Sequence, residues 1–260
     1  MTHHPVAQGS AAHPPVTTAI VPASSLGAGQ RRTMFRLLSL WFEGYGEDYF
    51  KQELDKLTSC VLLNDAETGK LVGFATLDQL ETLVGGVEVG VFQTVHCVVD
   101  QAYWGTNEIM IAMVGHMFDH ALSVRNDIPW YWHYSAVGYR SYRYMPMLFQ
   151  RHVPQIDRRS GRFETELRDW VGFRYFEKYY QPETGTIDWN WEGYGLTPLA
   201  AAIDEAKLNS PAIATFRALN PRWRESVELL CQAELSLDNL TRTSKRWLGR
   251  AGVVPVDAAA

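Results

Sequence analysis

The stretch VHCVVDQAYWGTNEIMIAMVGHMFDHAL, residues Val95 to Leu122, decides the reading of the fold. An apolar run ends at Asp100, and the segment Gln101 to Asn107 carries a single glycine, Gly105. Apolar positions then recur at helical spacing from about Thr106 to Ser123: Met110, Val114, Met117, Phe118 and Ala121, widened by Ile109 and Met113. The pattern predicts a strand, a short loop and a helix that packs broadly on a sheet. The first amides of a helix have no internal partners and carry partial positive charge, so such a junction suits an anion.

The flanks supply the other elements. Met34, Leu37, Leu38 and Trp41 fall on one helical face, and Phe50, Leu54 and Leu57 on another. CVLLND, the turn AETGK and LVGFATLDQL predict an antiparallel hairpin, and GGVEVGVFQTVHCVVD one or two further strands. DIPWYWHYSA reads as the next strand, and YRSYRYMPMLFQRHVP as helical with an interruption at Pro146. Beyond Pro154 the pattern is mainly helical, with Thr197–Pro198 and Ser210–Pro211 as helix starts. ESVELLCQAEL fits either helix or strand. Strand alternation is expected to put Thr94, His96 and Val98 on one face and Val95, Cys97 and Val99 on the other.

Composition narrows the function classes. A chain of 260 residues with net charge −5 has no global basic field for nucleic acid. Three scattered cysteines, Cys60, Cys97 and Cys231, without a CxxC pair, argue against a disulfide framework and a structural zinc site, and for a reducing, cytoplasmic setting. No apolar run reaches the roughly 18 residues of a membrane span. Residues 1–28 are rich in Pro, Ala, Ser, Thr and Gly and read as a disordered tail without a secretory signal. His3, His4 and His13 in it read as solvated, and no metal site is expected.

With the order helix, helix, three strands, helix, strand, helix, residues 29–155 resemble the GCN5-related N-acetyltransferase (GNAT) superfamily. Its motif after the fourth strand resembles Val99, Asp100, Tyr103, Trp104, Gly105, Asn107 and Ile109 here. Trp104 replaces the usual Arg or Gln, and Asn107 and Ile109 stand where glycines are usual. The resemblance implies an α/β fold: a mixed, mostly antiparallel central sheet flanked by helices. Residues 156–250 would form a mainly helical extension packed on it, and 251–260 a tail.

The resemblance also implies a chemistry: N-acyl transfer, acetyl or longer, from acyl-coenzyme A or an acyl carrier protein to an amine of a small molecule, amino acid or peptide. Gln101, Tyr103, Trp104, Gly105, Thr106 and Asn107 would cradle the pyrophosphate, and Val98 and Val99 would meet the pantetheine arm through their backbone. Glu88 and His96 are candidates for the base. The family's acid is a tyrosine on the helix after the fifth strand; Tyr139, Tyr142 and Tyr144 lie there, and Tyr142 fits the offset best. Cys97 as an acylated nucleophile lacks a Cys-His-Asp order. The arginines from Arg140 to Arg162 offer a face for an acidic carrier protein. Trp130, Tyr131, Trp132 and Tyr134 would wall an acyl pocket or pack the core. The alternatives are a non-catalytic binding protein of the same fold and a carrier-protein interaction module.

Overall fold

The computed structural model describes residues 14–189, 193–201 and 211–254. The expected hairpin is present. Strand β3 (Ser59–Asp65) follows β1 (Val16–Pro22), helix α1 (Ala28–Leu38), the short β2 (Phe42–Glu43) and helix α2 (Glu47–Leu54). Asp65 closes the next turn by accepting from the Thr68 amide at 2.7 Å and the Glu67 amide at 3.1 Å. β4 (Leu71–Val84) and β5 (Val87–Val99) then form a long hairpin across Gly85–Gly86, both at positive φ. Helix α3 (Glu108–Asp119) leads to β6 (Trp130–Ala136).

Two short helices follow, α4 (Tyr139–Tyr142) and α5 (Tyr144–Leu148), broken at Arg143; Pro146 lies in the first turn of α5, where its missing N–H costs nothing. Then come α6 (Arg162–Phe176), β7 (Tyr180–Gln181), β8 (Thr186–Ile187), β9 (Gly195–Leu196), α7 (Pro198–Ala201), α8 (Pro211–Leu219), β10 (Glu228–Glu234) and α9 (Arg242–Arg250). Thr197 caps α7 through its hydroxyl, as its position before Pro198 implied. The rest of that expected helix lies outside the described residues.

The main sheet has the order β1-β3-β4-β5-β6-β10-β8-β7. Every neighbouring pair is antiparallel except β5 and β6. Two expectations need correction. The N-terminal tail was expected to be disordered to residue 28, but from Val16 it pairs with β3 over seven residues, because Val16, Ile20 and Val21 extend the sheet edge. The C-terminal region does more than cover the sheet with helices: β7, β8 and β10 belong to it, and β10 pairs with β6 along Leu229–Glu234.

The two faces bury different cores. On one, Met110, Met113, Val114, Met117 and Phe118 of α3 pack against Phe92, Trp130, Trp132 and Cys231. On the other lie two clusters: α1 and α2 over Leu62, Phe74 and Val98, and Leu167 and Val171 of α6 over Val89, Val91 and Leu230. Gly90 is fixed by this packing, since a Cβ there would come within 2.1 Å of the Trp130 ring.

Candidate active site

β5 and β6 run together only from Gly90–Trp130 to Thr94–Tyr134, while β5 continues to Val99 and β6 to Ala136. The two strands therefore part beyond Thr94. A bulge marks the place: Ala75 faces Cys97 and Leu77 faces Thr94, so Val95 and His96 together oppose Thr76. The extra residue inverts the expected alternation. Thr94 stays on the α3 face, with its hydroxyl 3.5 Å from Met113 Sδ, and Cys97 joins it there at 4.0 Å from Met110 Sδ. His96 and Val98 turn to the opposite face, among Phe50 and Phe74.

The Asp100 amide donates to the Val72 carbonyl at 2.8 Å. In antiparallel pairing this turns the main-chain groups of Val99 and Cys97 away from β4 and into the gap beside β6. The Val99 carbonyl there accepts from two indoles, Trp41 Nε1 at 3.2 Å and Trp104 Nε1 at 3.1 Å. The Arg140 guanidinium stacks over Trp104 at 4.9 Å. The Cys97 thiol is exposed to solvent on the α3 face, and desolvation by the protein around it pushes its pKa up to about 12.

The loop Gln101 to Asn107 is half self-satisfied. The Asp100 side chain accepts from Ala102, its carbonyl from Tyr103, and the Gln101 carbonyl from Trp104. The amide of Thr106 goes to the Tyr103 carbonyl, and that of Glu108 to the Thr106 hydroxyl. Among the described residues, the amides of Gly105, Asn107, Ile109 and Met110 make no such bond, so donors remain at the start of α3. Gly105 is at φ +99°, which only glycine adopts freely.

Tyr103 serves as an anchor. Its hydroxyl donates to Asp65 Oδ2 at 2.6 Å, and this bond, with those from Thr68, holds the Asp65 carboxyl down at about 2. A depressed carboxyl pKa adds stability that is full above its unfolded value and is lost as pH falls through the folded one. Acid titration of the native protein is therefore expected to lose stability between about pH 4 and pH 2. Tyr103→Phe should shallow that loss, measured as Tm against pH.

The three tyrosines after β6 separate. Tyr142 is buried against Phe216 and His152, and its hydroxyl donates to the Pro154 carbonyl at 3.4 Å. Tyr144 is half-buried, lies beside Arg143 and is within electrostatic reach of Cys97. Its pKa is raised chiefly by burial, with Arg143 opposing. Tyr144, which also packs on Trp247, is thus the one of the pair in reach of Cys97, whereas the sequence offset had favoured Tyr142; the chain breaks between the two at Arg143.

Of the two expected bases, the structure brings only His96 to the divergence. Its Nε2 is 3.1 Å from the Tyr45 hydroxyl and 3.4 Å from Glu53 Oε2, and its Nδ1 is 3.2 Å from Thr76 Oγ1. The Tyr45 hydroxyl also bonds Glu53. Glu88 sits at the far end of β5, exposed and paired with Arg125, roughly 30–35 Å of strand from Val98. Its place beside the turn excludes it from the groove. Half of the arginine-rich segment is paired with acids: Arg151 with Asp238, Arg158 with Glu164 and Arg162 with Glu166. Trp130, Trp132 and Tyr134 are buried in the α3-side core, so sheet packing accounts for them.

Sequence reasoning passed over Glu228. It starts β10, is 4% exposed, and accepts from Trp189 Nε1 at 2.8 Å and the Tyr194 hydroxyl at 2.6 Å. An acid at the head of the apolar run LLCQA was the available signal.

No family model matches the chain, and no curated protein matches it. Several solved structures are similar to it in part. A protein from Enterococcus faecalis described as a probable N-acyltransferase is 14% identical, with TM-score 0.38, over 52% of this chain and 33% of that one. N-myristoyltransferase from Saccharomyces cerevisiae with bound myristoyl-CoA is 17% identical, with TM-score 0.35, over 47% and 29%. A GCN5-related N-acetyltransferase from Kribbella flavida is 14% identical, with TM-score 0.36, over 53% and 34%. The chain thus spans about a third of the length of these structures. The fold class rests on this chain's own sheet, mixed and mostly antiparallel with helices on both faces.

Proposed function

We propose that the chain is an N-acyltransferase that takes an acyl group from a pantetheine thioester, as in acyl-coenzyme A, and gives it to an amine. The single observation that carries this reading is the parting of β5 and β6 after Thr94, with the main chain of Cys97 and Val99 turned into the gap. An extended arm with amide groups can hydrogen-bond there as a further strand does. The amides of Gly105, Asn107, Ile109 and Met110 suit the diphosphate. Val98, expected to meet the arm through its backbone, does not: its main-chain groups face β4 opposite Phe74, and its side chain is in the opposite core.

In the transfer the amine nitrogen bonds to the thioester carbonyl carbon and the carbon–sulfur bond breaks. His96, with Glu53 and Tyr45 beside it, takes the proton from the amine, and Tyr144 supplies one to the departing thiolate. The pairing of Arg151, Arg158 and Arg162 favours coenzyme A over an acidic carrier protein as donor. A cytoplasmic location is supported by the three free cysteines. No helix among the described residues is long and apolar enough to cross a membrane.

The second reading, a binding protein of this fold without catalysis, is favoured by the two indoles on the Val99 carbonyl, which the arm has to displace. Calorimetry and thermal shift with acetyl-, octanoyl- and palmitoyl-coenzyme A decide. A donor at a hundredfold excess over Kd is expected to stabilise by about 2.7 kcal/mol. Iodoacetamide should label Cys97 slowly at neutral pH, given its raised pKa, and bound donor should slow it further. Binding without turnover of any amine supports the second reading. Absence of both binding and protection overturns the first.

A further inference from the structure

We propose that Thr76 is a positioning residue for the base: its hydroxyl donates to His96 Nδ1 and so keeps the ring hydrogen on Nε2, facing Tyr45 and Glu53. This rests on the transferase reading, which gives His96 a proton to move. Thr76 lies on β4, is fully buried, and stands opposite the bulge of Val95 and His96. A bulge takes a residue out of the regular ladder, and the His96 amide donates instead to Thr76 Oγ1 at 3.0 Å. The same oxygen lies 3.2 Å from Nδ1 of that histidine. One side chain thus holds both the main chain and the ring of His96.

The hydrogens available fix the direction of each bond. Tyr45 has one hydroxyl hydrogen and gives it to the Glu53 carboxylate, which can only accept. The Tyr45 oxygen, 3.1 Å from His96 Nε2, therefore takes a hydrogen from that nitrogen. Glu53 Oε2, at 3.4 Å, is a second acceptor on the same side. An imidazole with its hydrogen on Nε2 has a bare Nδ1, which accepts from Thr76. Every hydrogen along Thr76, His96, Tyr45 and Glu53 then has an acceptor. The other tautomer fails at both ends. A hydrogen on Nδ1 would strand the Thr76 hydrogen, because among the described residues that hydroxyl has no further partner. The bare Nε2 would meanwhile face only the oxygens of Tyr45 and Glu53.

Thr76 thereby closes Nδ1 to proton traffic and leaves it to Nε2. The amine's proton arrives at Nε2 as the one already there passes to Glu53 Oε2. The ring ends in the tautomer in which it began, and the net proton sits on Glu53, whose side chain is 21% exposed and returns it to water. The surroundings of the two ring nitrogens match this division. At Nε2, Tyr45 lies edge-on to Tyr49, which is 38% exposed, so that end leads toward the surface. At Nδ1 the partner is the fully buried Thr76.

Nitrogen-15 NMR of the imidazoles, with His96 assigned by the signals lost in His96→Gln, reads the tautomer without donor or acceptor. In the native protein Nε2 is expected to carry the hydrogen and Nδ1 to be bare. T76V keeps the shape and drops the hydroxyl. It should populate both tautomers and lower kcat for transfer from acetyl-coenzyme A to butylamine at least about tenfold, at unchanged KM for the donor. T76S keeps the hydroxyl and should restore the ring signals, with kcat within about a factor of two of native. A Thr76 that serves only the bulge amide would lower the urea midpoint of T76V and leave ring signals and kcat native; that result overturns the proposal. So does a native His96 with its hydrogen on Nδ1, which is readable even where T76V fails to fold. The expected tautomer and its rescue by T76S, without transfer to any amine, sink the transferase reading and keep the hydrogen-bond chain. Transfer by a native protein whose ring carries its hydrogen on Nδ1 does the reverse.

Discussion

Tyr144→Phe is expected to lower kcat for acyl transfer by roughly a hundredfold or more, the usual contribution of a positioned general acid. Donor affinity should stay within about a factor of two, since only the hydroxyl is lost from a half-buried ring. The comparison that gives the result meaning is Tyr142→Phe. Its hydroxyl makes one long bond, 3.4 Å, to the Pro154 carbonyl, away from the groove. Turnover should stay near native, with stability lower by no more than about 1 kcal/mol. The measurement is kcat against pH for both variants. Should Tyr142→Phe carry the large loss and Tyr144→Phe none, the register of the segment after β6 would be misassigned.

Trp132→Ala should destabilise the fold by about 3–5 kcal/mol. The indole is 1% exposed, packs on Tyr134 at 4.8 Å and Phe149 at 6.0 Å, and donates to the Thr94 hydroxyl at 2.8 Å. Thr94 and Tyr134 form the last pair before the strands part, so this side chain pins the closed end of the groove. Set against a typical total of about 5–15 kcal/mol, the loss leaves a variant that is marginal. Urea unfolding at unchanged m should show it as a fall in midpoint. Trp132→Phe keeps a ring and should lose less; equal losses would mean that the indole bond, not the packing, does the holding.

The strand–loop–helix at its centre was legible because α3 buries one broad stripe, and all of Met110, Met113, Val114, Met117 and Phe118 announced it by spacing. The resemblance implied a mixed, mostly antiparallel sheet, and its parallel pair, β5–β6, is bridged by α3. What stayed hidden was set by long-range pairing. β1 has mostly exposed side chains, so no alternation marks it, and only its ladder with β3 makes it a strand. The bulge at Val95–His96 leaves no mark in residue type, yet it decides which face His96 and Cys97 occupy. Tyr142 and Tyr144 differ only by where the chain breaks between α4 and α5. Glu228, Glu53 and Tyr194 are distant in sequence and meet only once β10 is in place.

That last strand imposes an order on synthesis. β6 is complete at Ala136, but its neighbour begins at Glu228, so 228 − 136 = 92 residues must emerge from the ribosome before the pair can close. At the usual elongation speed, roughly 5–20 residues per second, a tryptophan- and tyrosine-rich ribbon waits about 5–20 s with a bare flank. Fragments that stop before Cys231 should therefore collect as insoluble material, and protease resistance should appear only once β10 has joined the sheet.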